Sequence, residues 1–209
     1  MTRPLLLDLF CCEGGAAMGY HRAGFDVIGV DIEPRPKYPF PFVQADALNP
    51  PFDLSSFDAI HASPPCQAFS AMTPAGNSHP DLIEPVRAML QASGLPYVIE
   101  NVPGAPIDAT LVLCGTMFGK DYQRHRLFES NVLMLNGMAC DHSRDCWGVY
   151  GLGGEFTGER PGGGSRGKKA GTERARDLFG MPWASRNGVS QCIPPAYTEF
   201  IGQQMLVAL

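Results

Sequence analysis

Several side chains in this 209-residue chain are of types, and at spacings, that could do chemistry. Cys66 lies within Ser63-Pro64-Pro65-Cys66-Gln67-Ala68-Phe69-Ser70, directly after the apolar run Phe57-Asp58-Ala59-Ile60-His61-Ala62. That run reads as a buried strand, and the two prolines end it and stiffen the turn that follows. A thiol held on a stiff turn at the carboxyl end of a strand stands where open α/β sheets bind their ligands. The same residue would also suit a structural cysteine beside a turn. Glu100 falls near the end of a second apolar run, Tyr97-Val98-Ile99-Glu100-Asn101-Val102-Pro103, where a carboxylate is costly to bury without a partner. It is either an acid held for use or a salt-bridged strand edge. Arg124 and Arg126 alternate along an extended segment and so share one face, with a solvated basic edge as the bland reading.

These groups need a scaffold, and the order of elements supplies one. Leu5-Leu6-Leu7-Asp8-Leu9-Phe10 predicts a fully buried parallel strand. The turn Cys11-Cys12-Glu13-Gly14-Gly15 follows, then a helix from Ala16 to Ala23 stopped by Gly24. Strand, glycine turn and helix open a Rossmann-like unit, in which glycines let a ligand approach the backbone at a helix N-terminus; a plain βα turn would look similar. Phe25 to Asp31 predicts the second strand. An acid at its end typically holds ribose hydroxyls, with an N-cap as the bland alternative. A Pro-rich loop leads to a short strand, Phe42 to Asp46, whose terminal carboxylate could accept from an adenine amino group or simply serve a turn. The polar loop Phe69 to His79 is a candidate lid. Asp81 to Ala92 predicts a helix with Pro85 near its first turn. Leu111 to Gly115 reads as a further strand. Thr172 to Phe179 predicts a helix with Thr172 as its N-cap, and Pro195 to Ala208 a C-terminal helix packing through Phe200, Ile201, Met205 and Leu206.

A hydrophobic fraction of 44% is enough for a sizeable core, and the longest apolar runs fall short of a membrane span. Asp8 interrupts the first apolar run at once, so no signal peptide is expected, and a cytoplasmic protein without membrane contact is. Seven unevenly spaced cysteines suggest reduced thiols and not a disulfide framework. A net charge of -5 argues against holding nucleic acid by overall charge. One local basic stretch stands out: Arg160, Arg166, Lys168, Lys169, Arg174 and Arg176. From about residue 131 the strand–helix alternation stops, and glycines crowd the segment from Gly151 to Gly164 around Trp147, Tyr150 and Phe156. This predicts a small lobe at 131–170 inserted in a catalytic domain made of 1–130 and 171–209. Cys140, His142 and Cys146 offer three soft ligands in that lobe, one short of the four that a structural zinc needs, and no metal is assigned.

Taken in order, the set resembles the DNA (cytosine-5) methyltransferases, most of all their compact phage-borne forms. Asp8-Leu9-Phe10 with Gly14-Gly15 is similar to that family's first motif. Pro64-Pro65-Cys66-Gln67 resembles its nucleophile motif, Glu100-Asn101-Val102 its second catalytic motif, Arg124 and Arg126 its paired arginines, and Ile193-Pro194-Pro195 its last. The resemblance runs across nearly the whole chain apart from roughly 131–170. It implies an α/β, Rossmann-like fold dependent on S-adenosyl-methionine, with the small lobe reading double-stranded DNA and the protein acting as a monomer. It further implies cofactor contacts from Asp8, Phe10, Gly14, Gly15, Asp31, Ile32, Asp46, Ala47, Pro64 and Gln191. Cys66, Glu100, Arg124 and Arg126 would form the catalytic set: a thiolate adding at C6 of a flipped cytosine makes C5 nucleophilic towards a methyl group.

Three positions depart from the family's pattern. Tyr122 stands where a glutamine is usual, Ser190-Gln191 where Gly-Asn is usual, and Cys12 where the first turn usually has glycine. Gln191 falls where the methionine end of the cofactor is expected, which leaves open a modified cofactor or a transferred group other than methyl. The same chemistry on RNA or on a free nucleotide is a second reading, and an inactive DNA-binding or cofactor-binding module a third.

Overall fold

The computed structural model describes residues 2–65, 81–150, 156–157 and 168–209. Cys66, the candidate lid and the basic residues Arg160 and Arg166 lie outside them. Among the described residues a seven-stranded sheet runs β3-β2-β1-β4-β5-β7-β6. Its strands are β1 (Leu5–Leu9), β2 (Asp26–Asp31), β3 (Phe42–Gln44), β4 (Ala59–Ala62), β5 (Tyr97–Asn101), β6 (Leu111–Leu113) and β7 (Arg126–Ser130). The first five are parallel, and β7 inserts antiparallel between β5 and the edge strand β6. The parallel strands have buried, near-continuous apolar sequences because both faces of the sheet are covered.

The helices are α1 (Gly15–Ala23), α2 (Ile83–Ser93), α3 (Thr172–Phe179), α4 (Arg186–Gln191) and α5 (Pro195–Ala208). Leu6, Val27, Ala59 and Val98 share a core with Tyr20 of α1 and with Tyr197, Ile201 and Met205 of α5. Leu7, Leu9, Val30, Ile60 and Ile99 point the other way and pack with Ile83, Val86 and Leu90 of α2. The period-two alternation of the strands thus sorts their residues into two cores. Arg87 of α2 ties that layer to β7, donating from Nε and Nη2 to the two carboxylate oxygens of Glu129, each at 2.7 Å.

One local expectation needs adjustment, and two further features complete the description. Thr172 does not cap α3: Gly171 is the N-cap, and no side chain satisfies it. The helix α4, which has no apolar periodicity to announce it, is started by Ser185, whose Oγ accepts from Gly188 N at 3.0 Å. Between β7 and α3, the described residues hold only the two-residue pair β8 (Phe156–Thr157) and β9 (Lys168–Lys169), plus isolated bridges from Trp147 and Gly148. No helix among the described residues is long and apolar enough to cross a membrane.

Candidate active site

The strand order reverses between β1 and β4, and a crevice outside the carboxyl ends of these strands is the position open α/β sheets use for ligands. The turn after β1 is tightly wound. Phe10 and Cys12 both adopt positive φ, 59° and 48°, and Gly14 sits at φ 80°. A left-handed conformation costs a non-glycine residue roughly 1–2 kcal/mol, which gives a physical reason for a glycine preference at Cys12. Cys11 N donates to Val30 O at 3.1 Å, and Cys12 N donates to Asp31 Oδ2 at 3.0 Å. The turn is therefore fastened to the end of β2.

Asp31 is buried at that end and collects further donors. Glu33 N and Arg35 Nη2 each reach Oδ1 at 3.0 Å. Ile32 beside it is 66% exposed, an apolar face offered to solvent at the rim of the crevice. Asp46 is exposed, with Leu48 N and Asn49 Nδ2 bound to its two oxygens at 2.9 and 3.0 Å, bonds that hold its carboxyl below the usual range. Ala47 is buried in the α2-side core.

The two glycines of the first turn do different work. Gly14 supplies the left-handed N-cap of α1, where no side chain satisfies the helix N-terminus. Gly15 faces the chain itself: a Cβ there would stand 2.4 Å from Ile193 O and 2.9 Å from Cys192 Cβ. The returning C-terminal segment packs where a side chain would have been. Glu13 locks the same junction, since its carboxylate accepts from Ser185 N at 2.6 Å and Ser185 Oγ at 2.5 Å while its carbonyl accepts from Trp183 Nε1 at 2.8 Å. This clamp brings Gln191, the last residue of α4, to the first turn, where Cys12 Sγ lies 3.9 Å from Gln191 Oε1. Two of the three departures from the resembling family are thus neighbours in space. The third, Tyr122, is a core residue with its ring edge-on to Phe179 at 4.7 Å.

Beneath the turn, Asp8 and His61 are register partners on β1 and β4 and face the α1 side of the sheet. Both are fully buried. Burial pushes the Asp8 carboxyl up to about 8, against the hydrogen bond that Tyr38 donates at 3.3 Å. Gly29, the register partner of Asp8 on β2, leaves the space that the Tyr38 ring fills. Burial holds His61 down at about 3, and its Nδ1 lies 3.0 Å from Tyr20 Oη. Asp8 is therefore closed off from solvent beneath the turn.

At the other side of the crevice, β5 carries Glu100 and Asn101 to its carboxyl end. Asn101 Nδ2 donates to Pro64 O at 3.1 Å and its Oδ1 accepts from Val102 N at 2.9 Å. This bond fixes the Pro64-Pro65 turn that leads into Cys66, a positioning role that the sequence alone does not reveal. Glu100 is buried, and burial raises its carboxyl pKa against the pull of Arg126 and, second, Arg124. Arg126 opens β7, whose register pairs Glu100 with Phe128 and Asn101 with Leu127, so the arginine stands just beyond the end of β5. Its Nε lies 2.8 Å from Glu100 Oε1, yet that oxygen is left without a directed hydrogen bond.

The two arginines part company. Arg124 ties two segments together, donating from Nη1 to Val149 O at 2.9 Å and from Nη2 to Ser190 O at 2.7 Å, with its guanidinium 5.6 Å from the Phe179 ring centre. Burial, then the charge of Arg126, lowers its pKa to about 10. The described members of the basic stretch are also partly committed within the chain. Lys168 pairs with Asp145 at 3.0 Å, and Arg176 Nε donates to Ala184 O at 2.7 Å. Cys146 is buried and stands apart from Cys140 and His142 as a ligand.

No protein-family model matches the sequence. The chain is 31% identical over 127 residues to the Type II methyltransferase M.XorII of Xanthomonas oryzae pv. oryzae, covering 51% of this chain and 30% of that protein. The chain thus spans about a third of the relative's length. In fold it matches the S. pombe Dnmt2 methyltransferase with a TM-score of 0.61 at 11% identity, over 99% of each chain. It matches an E. coli prophage-encoded protein described as a DNA modification methyltransferase with a TM-score of 0.57 at 16% identity, over 98% of this chain and 99% of that one. The α/β, Rossmann-like fold is accordingly that of these methyltransferases, and the chain is related by sequence to a Type II methyltransferase.

Proposed function

We propose that the protein transfers a methyl group from S-adenosyl-methionine to C5 of a cytosine flipped out of double-stranded DNA. The observation that carries this reading is the buried Glu100–Arg126 pair beside a turn that Asn101 holds and that leads directly into Cys66. The crevice suits the cofactor: a buried acid, Asp31, for ribose hydroxyls lies next to the exposed apolar Ile32 for a base, and the N-terminus of α1 is uncapped for a carboxylate. When bound there, the sulfonium cofactor supplies an electrophilic methyl group.

The chain's own residues would do the rest. Cys66 as thiolate forms a bond to cytosine C6, and its electron pair makes the ring an enamine nucleophilic at C5. Glu100, whose raised pKa favours the protonated form, donates towards ring N3 and neutralises charge as it develops. Arg126 holds that carboxyl in place. After methylation, the C5 proton passes to solvent water, and the electrons it leaves behind re-form the C5–C6 double bond as the C6–S bond breaks and Cys66 departs as thiolate. Arg124 acts at one remove, by seating Ser190 and with it Gln191 against the first turn.

Nucleosides from plasmid DNA co-expressed with the protein, separated by mass spectrometry, test the reading. A 5-methylcytosine peak that disappears with Cys66→Ser is expected. Unmodified DNA in both samples, or a peak that survives the substitution, would sink it.

A further inference from the structure

The sequence offers three soft ligands in the small lobe and lacks a fourth; the fold supplies a different set. Cys114, His125, Cys140 and His142 each present a ligand atom, and these four atoms all lie within 4.8 Å of one another. From them we infer a structural zinc site of the Cys2His2 type, which joins the lobe to the sheet.

The geometry is close to that of a loaded site. With Zn–S of about 2.3 Å and Zn–N of about 2.05 Å, a tetrahedral centre separates sulfur from nitrogen by about 3.6 Å. Cys114 Sγ lies 3.6 Å from His142 Nε2, and Cys140 Sγ lies 3.4 Å from His125 Nε2. The two imidazoles stand nearly perpendicular, 79° apart, with ring centres 5.0 Å from each other. Each presents Nε2 towards a sulfur. Thr116 holds the surrounding chain: its Oγ1 is 3.4 Å from Cys114 Sγ and accepts from Asp141 N at 3.3 Å. Two thiolates and two neutral imidazoles balance the charge of Zn2+, so the loaded site is neutral beside the arginines. Loading releases the two thiol protons.

The placement gives the site its purpose. Cys114 directly follows β6, and His125 directly precedes β7. Cys140 and His142 lie in the segment from 131 to 150, which contains no helix or named strand and leaves Leu133 and Leu135 exposed. A stretch with so little buried apolar surface is the kind that metals staple. His125 lies between Arg124 and Arg126 in the chain, and Arg126 Nη1 already bonds to the His125 carbonyl at 2.8 Å, so a metal holding His125 would steady the backbone that carries both arginines.

The test is metal content by mass spectrometry on protein purified without chelator or metal affinity resin, alongside Cys140→Ser, His142→Ala and Cys146→Ser. Cys140 is exposed, so its substitution leaves the core intact. About one zinc per chain is expected in the wild type and in Cys146→Ser, and less than about a fifth of that in the other two. Cobalt exchanged into the wild type should show thiolate charge-transfer absorption that both cluster variants lack. A wild-type protein from zinc-supplemented cells that holds no zinc and gives no such absorption with cobalt would overturn the inference. So would zinc retained in full by both Cys140→Ser and His142→Ala.

Discussion

Burial raises the Glu100 pKa, and Arg126, then Arg124, oppose the rise. A carboxyl in that state keeps its proton to a higher pH than a surface glutamate does, and so is better placed to donate it. Turnover should therefore fall as pH rises through the folded pKa of Glu100, because the donating form is lost. Glu100→Gln keeps the shape and removes the proton; kcat should drop by roughly 10²–10⁴ while the cofactor's binding constant changes little. A pH–rate series on both proteins reads this, and a variant with wild-type turnover would remove Glu100 from the chemistry. Asp8 and His61 make a separate residue-scale case. Asp8 keeps its proton in the folded state between 3.8 and about 8, so it makes stability fall as pH rises through that window. His61 stays neutral when folded between 6.5 and about 3, so it makes stability fall as pH drops through that window. Where the windows overlap the two slopes cancel, and from pH 6.5 to 8 only Asp8 acts, at a cost of about 2 kcal/mol. Urea unfolding at pH 5, 6.5 and 8 should show that Asp8→Asn lacks the loss above 6.5 and acquires one below it. Parallel pH dependence in the two proteins would contradict the buried, protonated Asp8.

At the scale of elements, the join between the first and last helices carries the site. A Cβ on Gly19 of α1 would stand 2.0 Å from Thr198 Oγ1 and 2.2 Å from Pro195 O, and one on Gly202 of α5 would stand 2.7 Å from the Ala23 Cβ. Small residues on both helices let their backbones approach, and Thr198 Oγ1 donates across the join to Ala16 O at 2.9 Å. Gly15 and Ala16 open α1 directly after the first turn, so this contact seats the C-terminal segment against the first motif. Gly19→Ala should destabilise by roughly 1–3 kcal/mol through overpacking, despite alanine's better helix propensity. Thermal unfolding measures it; a variant as stable as wild type would show that the helices have slack. The sequence announces both helices through their apolar spacing, but not this meeting, because a glycine that admits a neighbour looks like any other glycine. The same holds for Gly15, which reads as room for a ligand and is filled by Ile193 and Cys192. Cys12 and Gln191 illustrate the limit from the other side. Each is a visible departure from the family pattern, and only the clamp through Glu13 and Ser185 shows that they touch.

For the whole molecule, the parallel strands were legible because burial on both faces gives continuous apolar runs, and the residues at their carboxyl ends were legible because open sheets bind ligands there. Glu100 beside Arg126, and Asp31 at the tip of β2, follow from that rule. What sequence order hides is that Arg124 donates to Val149 O and Ser190 O while Arg126 takes the place beside Glu100, and that Cys114 and His125 gather with Cys140 and His142, since both depend on β7 turning back between β5 and β6. The described part of the basic stretch is partly committed within the chain: Lys168 pairs with Asp145, Arg176 donates to Ala184 O, and Lys169 and Arg174 stand over the Tyr150 and Trp147 rings. The central claim is a covalent bond between Cys66 and the target ring. The most direct measurement incubates the protein, S-adenosyl-methionine and duplex DNA whose cytosines carry fluorine at C5, where a fluorine in place of the departing proton stops the enzyme from releasing the ring. Denaturing gels should show a protein–DNA adduct that needs the cofactor and is absent with Cys66→Ser, and peptide mass spectrometry should place the nucleotide on Cys66. No adduct on DNA that the wild type otherwise methylates, or an adduct that persists in Cys66→Ser, would contradict the account.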